Sequence, residues 1–293
     1  MSFIPQAGTP SISHIAITSA GRTAVALAIV SEEDTIILEF ASLSALLTWY
    51  HDPAGTADPN TPENRGNPYI QSRSRQRHSL HTQQTIPDHV QQLEATATSF
   101  AILTTSGNVY TWGDARHAIC LGRIPSATQP ADIPCVVEAL EGIGIAKIVC
   151  GNWITATLSQ SRDCYLLGRL PPQTGSERRI QGLPDPRQDQ VMKLVEIEDG
   201  LDVIDVGVGT GHMVVVASAP QNPAIDLDVD GQPLVTKTRV FAVGDNANGQ
   251  LGLGEGSASF VEVWREVVLP ETGRGKVKSV MCGPQYSLLT VEK

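Results

Sequence analysis

The feature that most restricts the fold of this chain is a strand-and-turn unit that recurs along it. The clearest copy runs from Val240 to Gly256 and reads VFAVGDNANGQLGLGEG, an apolar strand that enters a tight glycine-rich turn at Gly244. Glycine adopts positive φ there without a steric penalty, and Asn and Asp tolerate the same region. A more divergent copy, VYTWGDARHAICLG, occupies residues 109–122. Recurrence of one such unit predicts a repeat architecture.

A second regularity defines a reference position in each unit. Apolar residues stand six and three places before Gly151, and the same offsets precede Gly209 and Gly283. Two weaker copies place Thr96 and Gly21 at this reference position. In the copy at Gly21 the first apolar residue is present, but a threonine replaces the second. We therefore expect five units.

The spacing of the reference positions gives the length of a unit. Successive positions in the middle of the chain are 55 and 58 residues apart, whereas the first and last intervals are 75 and 74 residues. We interpret each longer interval as one unit plus an insertion, a polar disordered segment at 51–80 and a hairpin at 218–238. After the reference position come a strand, a short turn and a strand ending in glycine, as at Gly113 and Gly168. Short, evenly punctuated strands favour an all-β array.

These motifs resemble the repeats of the regulator of chromosome condensation family of β-propellers. A repeat there runs roughly Val-x-x-Val-x-Cys-Gly-x-x-His, followed by Gly-x-Val-Tyr-x-Trp-Gly-x-Asn and Gly-Gln-Leu-Gly. Cys150-Gly151, Cys282-Gly283 and residues 109–113 match this pattern, and residues 240–254 match it best. The resemblance implies structural roles for ten residues, namely Gly21, Gly113, Gly151, Gly168, Gly209, His212, Gly244, Gly249, Gly252 and Gly283.

The same resemblance implies a single β-propeller domain over residues 1–293, with about five visible blades where family members usually have seven. Closure into a ring protects strand edges, which otherwise invite aggregation. After Gly283 the sequence predicts one more strand, Tyr286 to Val291, which leaves that unit without its outer strand. We expect Ser2 to Ile4 to supply it, so that both ends of the chain share one blade.

The charge of the chain bears on its partners. A formal net charge of −10 argues against broad adhesion to nucleic acid, which needs a basic footprint. Residues 60–82 are the exception, because they carry four arginines, among them Arg73, Arg75 and Arg77, and one acid. This stretch is either a loop that binds a protein partner or a solvated tether. Trp153, two residues after a reference glycine, is a further candidate for partner binding, with a place in the core as the alternative.

The five cysteines show no Cys-x-x-Cys spacing, so they predict neither a disulfide framework nor a zinc site. We expect buried free thiols and hence a reducing compartment. The first ten residues lack the features of a signal peptide. The longest apolar run, residues 23–30, falls far short of the ~20 residues that span a bilayer. These features predict a cytoplasmic or nuclear protein without a membrane span.

Two segments resemble ion sites but have simpler explanations. Asp226 to Gly231 offers the oxygen ligands of a calcium loop, but Lys237 stands where the bidentate Glu belongs, so a hairpin turn accounts for it better. His78 and His81 lack a third ligand nearby in sequence. The sequence also lacks a nucleophile elbow, a phosphate loop and a zinc-protease motif. We predict no catalytic, cofactor or metal site.

We compare two functions for the chain in detail and a third more briefly. The first is a non-catalytic platform that presents loops of fixed shape to a protein partner. Resemblance to the fungal alpha-tubulin suppressor proteins implies a small zinc-binding partner of diphthamide synthesis and a role in tRNA wobble-uridine modification. The second, implied by the founder of the family, is guanine-nucleotide exchange on a small Ran-like GTPase, with the insertion 218–237 as the wedge. A propeller enzyme is a third class, but the sequence shows no set of acids or histidines that would converge from several blades.

Overall fold

The structure is a computed structural model, and it describes residues 11–28, 34–51, 81–174, 178–185, 190–198, 200–220, 237–269 and 276–292. Within these ranges β-strands dominate, accompanied by one nine-residue α-helix and three short 3-10 helices. The all-β architecture expected from the sequence is therefore observed. None of the helices in the described ranges is long and apolar enough to cross a membrane.

The strands form five antiparallel sheets that follow one another along the chain, which we call blades 1 to 5. Blade 1 contains β1 (Ser11–Ile17), β2 (Thr23–Ala28), β3 (Thr35–Phe40) and β4 (His81–Ile86). Blade 2 contains β5 (Val90–Ala95), β6 (Ser99–Thr104), β7 (Val109–Gly113) and β8 (Cys135–Val136). Blade 3 contains β9 (Ile145–Cys150), β10 (Ile154–Ser159), β11 (Cys164–Gly168) and β12 (Met192–Leu194). Blade 4 contains β13 (Asp202–Val208), β14 (His212–Ser218), β15 (Arg239–Asp245) and β16 (Phe260–Glu266), and blade 5 contains β17 (Lys276–Cys282) and β18 (Ser287–Glu292).

The first strand of each blade lies at one edge of its sheet, and these first strands contact one another in succession from blade 1 to blade 5. The helix α1 (Leu43–His51) follows the third strand of blade 1. The 3-10 helices are Ala115–Leu121, Glu138–Leu140 and Pro172–Thr174. The blades thus lie side by side, and the first strand of each blade contacts the first strand of the next.

The reference position is recognisable in the structure by one main-chain hydrogen bond that closes the turn after the first strand. In blades 2 to 5 the amide donates to the carbonyl three residues later, at Thr96–Ser99, Gly151–Ile154, Gly209–His212 and Gly283–Tyr286. In blade 1 the corresponding bond runs from Thr18 to Arg22, at 2.9 Å. Thr18 therefore occupies the reference position, and assigning it to Gly21 was wrong by three residues. The turn in blade 1 is one residue longer, and Gly21 lies inside it.

Glycine at the reference position is required where two blades approach each other. A Cβ on Gly151 would lie 2.5 Å from the carbonyl oxygen of Gly209, and a Cβ on Gly209 would lie 2.5 Å from that of Gly283. The Cβ on Gly209 would also overlap the His212 ring. Because these glycines do not have positive φ, the requirement is for space and not for an unusual torsion.

The side chain four residues before the reference position links neighbouring blades. A register irregularity interrupts the pairing of each first strand just before this position. Gln92 Oε1 of blade 2 accepts a hydrogen bond from the Ile148 amide of blade 3, at 2.8 Å. Asp205 of blade 4 accepts one from Lys147 of blade 3 at 2.5 Å and one from the Val280 amide of blade 5 at 2.8 Å. The buried Asp205 carboxylate thus joins three blades.

The hydrophobic core lies between successive blades, so blades 2 to 4 bury both of their faces against neighbouring blades. Phe100 and Trp112 of blade 2 pack against alanines of blade 1, and their rings are stacked with centroids 5.0 Å apart. The Trp112 indole N–H donates to Glu39 Oε2 of blade 1 at 2.8 Å, which satisfies a buried polar atom across the same interface. Equivalent clusters fill the spaces between blades 2 and 3, 3 and 4, and 4 and 5.

Helix α1 was not expected from the sequence. Its Leu46 and Trp49 pack with Val25 and Phe40 of blade 1, on the sheet face that does not meet blade 2. The rings of Phe40 and Trp49 are 5.5 Å apart. Leu46 and Trp49 are three residues apart, which suits one helix face, but nine residues are too few to show a helical period. The helix covers the outward side of the first blade.

Three predictions from the sequence fall wholly or mainly outside the described residues. They are the pairing of Ser2–Ile4 with the last blade, the disordered insertion at 51–80 and the hairpin at 218–238. Within the described residues, blade 5 has two strands and each of the other blades has four.

Replacement of Gly209 by Ala should destabilise the protein by at least about 3 kcal/mol, because the new Cβ overlaps a carbonyl oxygen and an imidazole in a packed interior. Gly249 is the matched control, with a φ of +73° and open space around its Cβ. Its replacement by Ala should cost only the torsional term of about 1–2 kcal/mol. Denaturant unfolding measures both losses, and equal values would contradict the close approach of the blades.

Candidate interaction face

The turns after the first strands and the ends of the third strands lie on one side of the molecule. At the end of each of three third strands a glycine packs against a carbonyl oxygen of the turn in its own blade. The pairs are Gly113 with Thr98, Gly168 with Trp153 and Gly244 with Gly211. We call this side the loop face, and we call the side that carries the connections between blades the opposite face.

Trp153 lies on the loop face and is half-buried. Its indole meets the His117 imidazole edge-on, with ring centroids 5.0 Å apart. Its carbonyl oxygen accepts a hydrogen bond from the Arg169 amide at 3.1 Å and one from the Cys120 thiol at 3.7 Å. These contacts fix the turn on one side and leave part of the indole accessible. The other tryptophans of the chain, Trp49, Trp112 and Trp264, are buried.

A preformed ion pair, Asp114–Arg116, lies next to His117 in sequence, at the start of the 3-10 helix Ala115–Leu121. The Asp114 carboxylate caps this helix by accepting a hydrogen bond from the Arg116 amide at 2.9 Å. The Arg116 guanidinium also donates to both carboxylate oxygens, with its shortest contact at 2.5 Å. These hydrogen bonds hold the pKa of Asp114 well below its usual range. Arg116 itself remains largely exposed to solvent.

Arg123 organises the loop that follows this helix, and no sequence motif indicated its role. Its buried guanidinium donates to the carbonyl oxygens of Thr111, Gln129, Pro130 and Ile133 at 2.8–3.4 Å. No pattern of neighbouring residue types marks such a site, because the acceptors are main-chain atoms. The loop 122–134 is therefore held in one shape, with Ile124 exposed at 71%.

A cavity of about 240 Å³ opens between blades 4 and 5, beside the turn 248–252. Gln250 and Leu251 line one side of it, and Tyr286 and Leu289 of blade 5 line the other. Tyr286 is 53% exposed. The glycine-rich turn of blade 4 satisfies its own polar groups, since Asn246 accepts from the Leu251 amide at 3.0 Å. This turn thus serves as a rigid wall of the cavity.

His212 lies between blades 4 and 5. Its side chain is fully buried, and Nε2 lies 3.2 Å from the Ser287 hydroxyl of blade 5. That hydroxyl donates to the Gln250 carbonyl at 2.9 Å, so the contact suits an Nε2–H that donates to Ser287. Burial lowers the pKa of His212, although hydrogen bonding to the main chain at Tyr286 opposes the effect. The ring is therefore neutral at physiological pH and joins two blades.

All five cysteines are free thiols, as expected. Burial raises the pKa of Cys150 and Cys164 to about 12 and that of Cys120 and Cys282 to about 11. Thiols with such pKa values are poor nucleophiles at neutral pH. Within the part of the chain that the structure describes, no three His, Cys, Asp or Glu side chains come together in a group that could hold a metal ion.

Only some of the predicted site residues lie within the described residues. Trp153 lies on the loop face, whereas Arg73, Arg75 and Arg77 lie outside the described residues. His78 and the Asp226–Gly231 segment also lie outside them. The residues that sequence reasoning missed are Arg116, which forms the exposed ion pair, and Arg123, which shapes the adjacent loop.

The comparisons with known proteins agree with this geometry. The family model described as the regulator of chromosome condensation (RCC1) repeat matches residues 106–158, which span the third and fourth strands of blade 2 and the first two strands of blade 3. The match covers 53 of the 293 residues of the chain. The chain is similar to the mouse RCC1 domain-containing protein 1, with 27% identity over 219 residues, or 67% of this chain and 54% of that protein.

Two further similarities concern a segment and the fold. The chain is 29% identical over 187 residues to the mouse E3 ubiquitin-protein ligase HERC2, covering 64% of this chain and 3% of that protein. The crystal structure of Prp20p from Saccharomyces cerevisiae, described with its binding properties to Gsp1p and histones, has a TM-score of 0.54 and 15% identity. That match covers 99% of this chain and 58% of Prp20p. The predicted β-propeller fold class is confirmed, and the chain spans about half the length of its first relative.

The pKa of His212 gives a test of the contact between blades 4 and 5. Because the pKa is lower in the folded protein than its ordinary 6.5, the unfolded chain binds more protons as the pH falls below about 6.5. We therefore expect stability to be retained above that pH and to decrease below it. A His212→Gln variant should lose this part of the pH dependence, measured as the slope of unfolding free energy between pH 7.5 and 5.5. An unchanged slope would contradict a buried neutral ring.

Proposed function

We propose that this RCC1-repeat protein is a non-catalytic platform that binds a protein partner through its loop face. The observation that carries the proposal is the patch formed by Trp153, His117 and the Asp114–Arg116 pair. Tryptophan and arginine are the residue types most often found at the energetic centre of protein interfaces. Both belong to segments fixed by main-chain hydrogen bonds, so little conformational entropy is lost on binding.

The family supports the broad form of this proposal. An RCC1-type propeller fits a role in protein interaction or in nucleotide exchange, and the net charge of −10 favours a partner with a basic surface. The narrower proposal is a small zinc-binding partner of diphthamide synthesis and a role in tRNA wobble-uridine modification. It rests on the resemblance to the fungal alpha-tubulin suppressor proteins. The identity of the partner captured below tests it.

A Trp153→Ala variant should bind its partner about 30-fold more weakly, the equivalent of ~2 kcal/mol for an interface hot spot. Affinity capture from cell extract with mass spectrometry identifies the partner, and titration with that purified partner gives the dissociation constants. Val268→Ala is the control, because Val268 is 88% exposed on the opposite face. Matching thermal midpoints establish that both variants are folded. Equal affinity of Trp153→Ala and the unaltered protein would exclude this patch as the binding site.

Guanine-nucleotide exchange on a Ran-like GTPase is the second candidate. The fold similarity to Prp20p, which was described together with its binding to Gsp1p, favours it. Most of the insertion 218–237, which the sequence suggests as the wedge, lies outside the described residues.

A nucleotide-release assay separates the two candidates. If the protein is an exchange factor, catalytic amounts should accelerate release of a fluorescent guanine nucleotide from a Ran-like GTPase on the order of 10³-fold. A variant with the insertion replaced by a short Gly-Ser linker should lose that acceleration. Release at the intrinsic rate with the full protein would exclude exchange on this GTPase and leave the binding platform unaffected.

A further inference from the structure

One main-chain hydrogen bond recurs on the loop face and makes its positions comparable between blades. The amide of the residue after the third-strand glycine donates to the carbonyl oxygen two places after the reference position. The three pairs are Asp114 with Thr98 in blade 2 at 3.0 Å, Arg169 with Trp153 in blade 3 at 3.1 Å, and Asp245 with Gly211 in blade 4 at 2.8 Å. Blade 3 differs from the other two at both places, because an arginine replaces the aspartate and a tryptophan replaces the threonine or glycine.

The two aspartates are used inside their own turns, whereas Arg169 is not. Asp114 caps the 3-10 helix that follows it, and Asp245 accepts a hydrogen bond from Gln250 Nε2 at 2.9 Å. Within the described residues, the Arg169 side chain donates only from Nε, to the Leu170 carbonyl at 3.4 Å, and it forms no ion pair. Its side chain is exposed, so both terminal nitrogens of the guanidinium can bind a ligand.

Arg169 lies beside the 3-10 helix that carries His117. The Trp153 carbonyl accepts hydrogen bonds from both the Arg169 amide and the Cys120 thiol of that helix. Burial raises the pKa of Cys120 to about 11, and the positive charge of Arg169 acts against this rise, so the guanidinium is close to the helix. The His117 ring of the same helix contacts the Trp153 indole edge-on. Arg169 and His117 therefore both border Trp153.

Arg169 is the guanidinium of this patch whose charge is not compensated. The neighbouring Arg116 donates to both carboxylate oxygens of Asp114. One uncompensated guanidinium with two free terminal nitrogens suits a single carboxylate, which it binds through two parallel hydrogen bonds. A phosphate dianion would leave one negative charge without a guanidinium partner. The accessible part of the Trp153 indole suits an apolar side chain next to that carboxylate.

We propose that Arg169 binds a carboxylate of the partner, from an Asp or Glu that adjoins an apolar residue, and that Trp153 covers this apolar residue. The inference rests on the proposed function and names the chemistry that the loop face recognises. Because the net charge of the protein is −10, a partner with a basic surface approaches it favourably. One carboxylate on such a partner then has a single matching cation in the patch, which fixes the orientation of the two surfaces.

Peptide selection tests the proposal without knowledge of the natural partner. A random-peptide library displayed on phage is selected against the full protein and, in parallel, against Arg169→Ala. We expect peptides recovered by the unaltered protein to carry an Asp or Glu next to an apolar residue, and peptides recovered by Arg169→Ala to lack this enrichment of acids. A peptide selected on the unaltered protein should bind Arg169→Ala about 10-fold more weakly.

Arg162→Ala is the matched control, because it removes the same charge from the same blade. Arg162 is exposed on the opposite face, where its carbonyl accepts a hydrogen bond from the Val203 amide at 3.2 Å. This variant should bind the peptide as the unaltered protein does, and circular dichroism establishes that both variants are folded. A peptide with Gln in place of its acid should bind about 10-fold more weakly and respond little to Arg169→Ala, because both changes remove the same contact.

Several outcomes would overturn the proposal. They are selected peptides without an acid, equal binding of the Gln peptide, and tighter binding when phosphoserine replaces the acid, which would make phosphate the ligand. The proposed function has a separate outcome. If Trp153→Ala weakens binding of the natural partner and Arg169→Ala does not, only the carboxylate contact fails. If neither variant weakens it, the patch itself is not the binding site.

Discussion

The arrangement of the blades depends on the side chain that each bulged first strand directs at the next blade. Asp205 is the clearest example. Its carboxylate accepts one hydrogen bond from the Lys147 ammonium of blade 3 and one from the Val280 amide of blade 5. A buried carboxylate that loses a partner costs about 3–5 kcal/mol, so neighbouring blades are held to one spacing. Gly151 lies against the Gly209 carbonyl, and Gly209 lies against the Gly283 carbonyl. Both close approaches require the same spacing between blades. The position of Trp153 on the loop face follows from it.

The sequence revealed the parts of the fold that repeat and missed the parts that occur once. The apolar residues before Gly151, Gly209 and Gly283 were informative because each faces a neighbouring blade in the same way. In blade 1 the search for a glycine led to Gly21, although the main-chain bond that defines the turn begins at Thr18. A hydrogen bond does not require glycine, and Ile12 and Ile15 stand six and three places before Thr18, so the apolar offsets favour Thr18 over Gly21. Helix α1 has no second copy with which to compare it.

The candidate site was predictable to a similar extent. Trp153 stood out because it departs from the repeat pattern, whereas His117 follows blade 2 and contacts Trp153 of blade 3 only in the folded chain. The loop face consists of turns, and the composition of turns is free to diverge while the strands keep the repeat pattern.

The way Arg123 holds its loop has a consequence for how the sequence of that loop can diverge. Its guanidinium recognises only main-chain oxygens, those of Thr111, Gln129, Pro130 and Ile133 among them. Substitutions at the loop positions it contacts leave those oxygens in place. The side chains displayed there can therefore change over evolutionary time, and with them the molecules that are recognised, while the backbone course is inherited unchanged.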